Sequence, residues 1–274
     1  MKHALLVRLV RALQKKDKGF LYLDTHAGRG HYDLAVAAEG DSRARKPEWP
    51  DGIGRLWTRG DLPAGVAEYL ALVREFDRRQ GNLEASPRFY PGSPEIVRTL
   101  ARPQDRLALC ELHPAEFAAL RDRTQFSTGV SWHAMDGYIA PRAMLPPPER
   151  RALVLMDPPF EAQDEFARLA KAMEEGWKRL PGGVFAAWYA LTERARVNEF
   201  FDAVYAAKPP PTLVIELTIA GDSSPLRMKG CGLLIVNPPW QFDGEAREMM
   251  DFLADTLALS PGGGARVEWL VPEK

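Results

Sequence analysis

The sequence predicts an α/β domain built on a doubly wound, mostly parallel sheet. Two observations carry that prediction. Apolar runs unbroken by polar residues, such as "ALVLMD" (152–157) and "GLLIVN" (232–237), alternate with amphipathic helical stretches. That is the pattern of strands covered on both faces. In addition, four successive predicted strands end in a carboxylate, at Asp24, Glu111, Asp136 and Asp157. Open α/β sheets bind ligands just beyond the carboxyl ends of their strands, so four acids in series mark one end of this sheet.

The elements follow in order. Residues 3–16 read as a basic amphipathic helix that Lys18-Gly19 ends. "FLYLDT" (20–25) is a short strand running into the glycine-bearing turn "HAGRGHY". Residues 43–92 break the rhythm with five prolines, several glycines and one clear helix near 64–79, and read as a small helical insertion between 1–42 and 93–274. "SPEIVRTLAR" (93–102) resumes with a helix that Ser93 is placed to cap. Strands are expected at 106–112, 130–135, 152–157, 184–191, 212–220, 232–237 and 265–271. Helices are expected at 114–123, 163–179, 192–207 and 243–258.

Composition narrows the function classes. The chain has 274 residues, 46% of them apolar, enough for one large core. No apolar stretch is long enough to span a membrane. The start "MKHALLVRLVRALQKKDKG" is interrupted by Arg8 and Arg11 and lacks a cleavage signal, which argues against a secretory leader. Cys110 and Cys231 each sit in an apolar run and read as buried thiols of a cytosolic protein. The five histidines show no zinc-type spacing, so no metal site is expected. The net charge is −1, but residues 1–19 hold six basic residues against one acid. Residues 42–106 hold twelve against nine. Such a basic face beside an acidic body can steer a polyanion, and Arg74, Arg78, Arg79 and Arg88 are its candidate phosphate contacts, although on charge alone solvated helix faces are the favoured reading.

The motifs carry the chemistry. Gly28 and Gly30 in "DTHAGRG" let backbone approach a ligand closely, although the turn departs from the dinucleotide fingerprint. Glu111 at a strand end suits the two hydroxyls of a ribose; a solvent-exposed strand end is the plain structural alternative. Asp136, followed by Gly137, suits the exocyclic amine of an adenine; an Asp-Gly turn is the plain structural alternative. Asp157-Pro158-Pro159-Phe160 directly follows a predicted buried strand; a rigid strand-to-loop exit is the plain structural alternative. Pro159 fixes its own φ and presses Pro158 toward an extended shape, so the Pro158 carbonyl and the Asp157 carboxylate can face one point. Two acceptors aimed at one amine would hold it for attack on an electrophilic methyl group, with Phe160 offering a face for a base.

"FLYLDTHAGRGHY", "RFYPGSP", "LCELHP", "MDGY", "LMDPPF" and "GLLIVNPPW" occur here in the order and at the spacing of the bacterial 23S ribosomal RNA adenine-N6 methyltransferase family, which this chain resembles over nearly its whole length. The resemblance implies a class I, Rossmann-like methyltransferase fold with a helical insertion. It implies S-adenosyl-L-methionine as cofactor and the N6 amine of one adenosine in 23S ribosomal RNA as acceptor, reached before full subunit assembly by a cytoplasmic monomer. It also implies that His3, His26, Gly28, Ser93, Glu111, Asp136, Gly137 and Asp157 line the cofactor site. Asp157, with Pro158 and Phe160, would then hold the target base.

The chain departs from the family pattern in two places. Phe160 stands where the family usually has Tyr, which keeps stacking and removes a hydroxyl. Family members usually carry a short His-, Gly- and Asn-containing segment before the "KH" at 2–3, where this sequence starts with Met1. Two other readings therefore stay open: the same chemistry on DNA adenine or protein glutamine, or a non-catalytic RNA-binding or assembly factor. The second motif, Asn237-Pro238-Pro239-Trp240, is expected to be a structural exit near the far edge of the sheet, with Trp240 a candidate lining of the base pocket.

Overall fold

The computed structural model describes residues 1–35, 49–124, 127–221, 224–226 and 228–273; residues 43–48 of the expected insertion lie outside it. In chain order the strands are β1 (Leu21–Asp24), β2 (His31–Asp33), β3 (Phe89–Pro91), β4 (Arg106–Cys110), β5 (Val130–His133), β6 (Ala152–Met156), β7 (Val184–Leu191), β8 (Thr212–Thr218), β9 (Gly230–Val236) and β10 (Gly264–Val271). The helices are α1 (Lys2–Gln14), α2 (Ile53–Leu56), α3 (Ala64–Arg79), α4 (Ser93–Leu100), α5 (Pro114–Thr124), α6 (Ala140–Met144), α7 (Glu165–Arg179), α8 (Arg194–Ala206) and α9 (Phe242–Leu257).

Eight strands form one sheet in the order β10-β8-β9-β7-β6-β1-β4-β5. Strands β5, β4, β1, β6 and β7 are mutually parallel. Strand β9 runs antiparallel to β7 and to β8, and β10 antiparallel to β8. The chain leaves β1 first toward β4 and later returns to its other side as β6, so the topological switch point lies between β1 and β6. One face is covered by α1, α3, α4 and α9 over Leu5, Leu9, Leu70, Ile96 and Met250, the other by α7 and α8 over Leu169, Met173, Phe200 and Val204. Each such side chain contributes about 1.5–3 kcal/mol on burial.

The structure sharpens several expectations. Helix α1 is a core helix with eight of its thirteen residues buried, so its amphipathic face is turned inward. Helices α2 and α3 share the core of the sheet's first face through Leu56, Val66, Leu70 and Val73. Strands β2 and β3 form a short antiparallel ribbon, and the sequence reading missed it. Ser93 does not cap α4: Gly92 is the N-cap and the Ser93 hydroxyl donates to Asp24 instead. Among the described residues no helix is long and apolar enough to cross a membrane.

Candidate active site

Strand register builds the site. Asp24 pairs with Leu109 on one side and Leu155 on the other. Two residues further along each chain, His26, Glu111 and Asp157 therefore come level at the carboxyl end of the sheet. Strand β5 adds Asp136 and Gly137 on the far side of β4, where Cys110 pairs with His133.

The turn after β1 is shaped by glycine. Gly28 and Gly30 have φ of +59° and +71°, the left-handed region that side chains disfavour. The Gly28 N–H donates to Glu111 Oε2 at 2.8 Å, and the His113 N–H donates to Glu111 Oε1 at 2.7 Å. Glu111 thus closes the turn and stands half-buried with acceptor capacity left on each oxygen. Gly137 packs against the Thr25 carbonyl and the His26 ring so closely that a Cβ there would overlap the carbonyl oxygen. The Asp136 carboxylate accepts from the Tyr138 N–H at 3.0 Å and from Arg168 at 2.7 Å. The Arg168 guanidinium lies 4.0 Å from the Tyr138 ring centroid, and the Tyr138 ring meets His26 edge-on.

Two buried polar atoms at this end have no partner among the described residues: Asp24 Oδ1 and His3 Nε2. Asp24 accepts on its other oxygen from Ser93 at 2.6 Å and Tyr22 at 2.7 Å. Burial pushes its pKa up to about 6 despite those two hydrogen bonds. His3 is oriented by Tyr90, whose hydroxyl lies 2.7 Å from Nδ1 and 2.8 Å from the Tyr69 hydroxyl. Burial holds the His3 pKa well below the ordinary histidine value, and burial also lowers that of His26, so both rings favour the neutral form. An orphaned buried donor or acceptor costs about 1–3 kcal/mol. Asp24 Oδ1 and His3 Nε2 are therefore the atoms a polar ligand would satisfy.

Asp157 directly follows β6, one-fifth exposed, and forms an ion pair with Lys2 at the start of α1. Pro158 is buried and Pro159 exposed, so the rigid dipeptide turns the chain outward at the site. Phe160 holds φ +55°, and its ring leans on Phe166 at 4.9 Å and on Trp188 at 5.9 Å between centroids. Trp188 also lies 5.8 Å beneath the Lys2 ammonium. Lys2, Trp188 and Asp24's free oxygen went unassigned in the sequence reading. Lys2 left no local signal; Trp188 left a faint one, an indole inside the strand next to the motif.

The second motif sits elsewhere: it is the structural exit the sequence reading expected, and only the placing of Trp240 at the base pocket is corrected. Strand β9 is interior, between β7 and β8, and it runs against β6. Its exit therefore lies at the opposite end of the sheet from Asp157. Asn237 Nδ2 donates to the carbonyls of Pro181 and Gly183 at 2.7 and 2.8 Å, tying the end of β9 to the entry of β7. Trp240 cannot line a base pocket beside Asp157.

A reversed strand at the side of a doubly wound sheet, with acids from four strand ends around a glycine turn, defines a class I methyltransferase. The chain belongs to the family described as ribosomal RNA large subunit methyltransferase D, RlmJ, whose model matches residues 17–271. It is 37% identical to the ribosomal RNA large subunit methyltransferases J of Haemophilus influenzae and Escherichia coli, over 100% of this chain and 94% of each relative. Its fold matches the crystal structure of protein LPL1258 from Legionella pneumophila with a TM-score of 0.85 and 32% identity, covering 97% of this chain and 94% of that one.

Proposed function

We propose that this chain transfers a methyl group from S-adenosyl-L-methionine to the N6 amine of an adenosine in 23S ribosomal RNA. The observation that carries the reading is the Asp157 carboxylate, held at the switch point level with His26 and Glu111. The site residues fit the cofactor. Asp24 Oδ1 is a buried acceptor for its ammonium group, and His3 Nε2 a buried partner for its carboxylate. With the Tyr90 hydroxyl donating to Nδ1, the neutral ring carries its proton on Nε2, aimed at an acceptor. Glu111 has acceptors for a ribose, and Asp136 and Gly137 wall the adenine side. The bound cofactor supplies an electrophilic methyl on a sulfonium.

The protein's own part is positioning and proton acceptance. An adenine swung out of its helix can rest against Phe160, with its amine between the Asp157 carboxylate and the Pro158 carbonyl. Accepting two hydrogen bonds from the amine draws its lone pair out of the purine ring. As the new N–C bond forms and the sulfur–methyl bond breaks, leaving a neutral thioether, the amine loses one proton, and Asp157 is the acceptor within reach. Lys2 neutralises that carboxylate while the amine is absent and must yield as it arrives.

The test is methyl transfer from labelled cofactor to ribosomal RNA, DNA and protein in parallel. Label on ribosomal RNA, recovered as N6-methyladenosine, is the expected result. Label on DNA or protein alone would overturn the choice of substrate.

A further inference from the structure

The end of the sheet opposite Asp157 holds a second feature that methyl transfer does not use. A groove of about 360 Å³ runs between the C-terminal end of α1 and the entries of β6 and β7. Lys15, Lys16 and Arg151 line it together with Trp240, and no acidic residue does among the described residues. Trp240 is 76% exposed, an unusual state for so large an apolar ring. Lys15 and Lys16 have no ion pair or hydrogen bond through their ammonium groups among the described residues. Arg151 is fixed, donating to the backbone carbonyls of Leu13 and Lys18.

The contrast with the rest of the basic surface is informative. Arg8 and Arg11 pair with Glu68, Arg78 and Arg79 with Glu75, and Arg88 with Asp33. Arg74 donates to the Trp57 carbonyl. Those cations, expected from sequence to face phosphates, have acceptors within the protein. Lys15 and Lys16, by contrast, have no such acceptor among the described residues and stand where α1 ends, beside an exposed indole. A cationic groove with an aromatic platform is how proteins hold single-stranded nucleic acid: phosphates meet the lysines and a base stacks on the ring. An acidic peptide would use the charge but leave the indole unexplained.

We propose that this groove binds a single-stranded segment of the RNA substrate, a second contact distant from the methylated base. Ala152 at the groove begins the strand that ends beside Asp157, so the two sites are about 16 Å apart along β6. Helix α1 links them as well, with Lys2 at one end and Lys15 at the other, about 20 Å away. The proposal rests on the reading of the substrate as RNA and assigns a docking surface to it.

The test is fluorescence anisotropy of a labelled oligouridylate with the full chain, as wild type, Trp240→Ala, Trp240→Phe and the double variant Lys15→Gln/Lys16→Gln. Trp240→Ala should weaken binding about tenfold and Trp240→Phe much less, since a phenyl ring still stacks. The double lysine variant should lower the slope of log affinity against log salt by about 1.4. Cofactor affinity by calorimetry should be unchanged in all three, which shows that the fold is intact. Failure of the wild type to bind the oligomer, or variants indistinguishable from it, would overturn the proposal. Methyl transfer to ribosomal RNA by the wild type is scored separately, so loss of the substrate reading and loss of the groove are told apart.

Discussion

Asp24 shows how one side chain can make a binding site depend on pH. Its carboxyl is buried, and burial raises its pKa to about 6, above the ordinary carboxylate value. The folded protein therefore holds this proton more tightly than the unfolded chain. Its contribution to stability is fully present below the unfolded value, near 4, and is lost as pH rises through about 6. A cationic ligand at Oδ1 reverses the preference, because it favours the carboxylate. Cofactor affinity should consequently rise as pH increases through about 6, and Asp24→Asn should flatten that profile; calorimetric titrations across that range decide the point. A second prediction concerns the paired motifs. Asp157→Asn should abolish methyl transfer with cofactor binding retained, whereas Asn237→Ala should keep transfer and cost about 1 kcal/mol of stability through the two carbonyls it leaves. Denaturant titration and single-turnover assays measure the two effects.

Among the elements, the most instructive pair is β6 and β9. "ALVLMD" and "GLLIVN" look alike because both strands are interior and buried on both faces, so the same apolar run serves each. Direction is a property of the whole topology and leaves no mark on a local run. That is why both motifs were legible as strand exits, while the end of the sheet at which Trp240 lies was not. The parallel half of the sheet and the acids ending its strands were readable from unbroken apolar runs. The ribbon of β2 and β3 was not, since three-residue strands show no alternation. Lys2 escaped because its partner lies 155 residues away, a closeness that packing of α1 creates. The loops also act as elements. Gly137 lets the turn after β5 lie against Thr25, so Gly137→Ala should displace Asp136 as well as the turn. Cofactor affinity should fall at least tenfold, with a stability loss of about 1–3 kcal/mol. Affinity equal to wild type by calorimetry would show that the turn can move freely.

Taken whole, the molecule presents different chemistry at the two ends of one sheet. The carboxyl ends of the parallel strands gather carboxylates, two neutral histidines and a glycine turn around the switch point. The opposite end gathers unpaired cations and an exposed indole. Helix α1 crosses from one to the other and is buried along most of its length, so the two ends are rigidly spaced. The net charge of −1 conceals this division, and composition alone could not have located it. The arginines of α3 have partners within the protein, so neutralising them should leave RNA affinity nearly unchanged. Arg78→Gln/Arg79→Gln in the anisotropy assay checks this at the scale of the whole surface.

The central claim is that the Asp157 site methylates adenine at N6. Unmodified 23S ribosomal RNA incubated with labelled S-adenosyl-L-methionine and the wild-type chain, then digested to nucleosides and resolved by mass spectrometry, tests it most directly. Labelled N6-methyladenosine from the wild type and none from Asp157→Asn is the predicted result. Label in another nucleoside, or equal labelling by the two proteins, would contradict it.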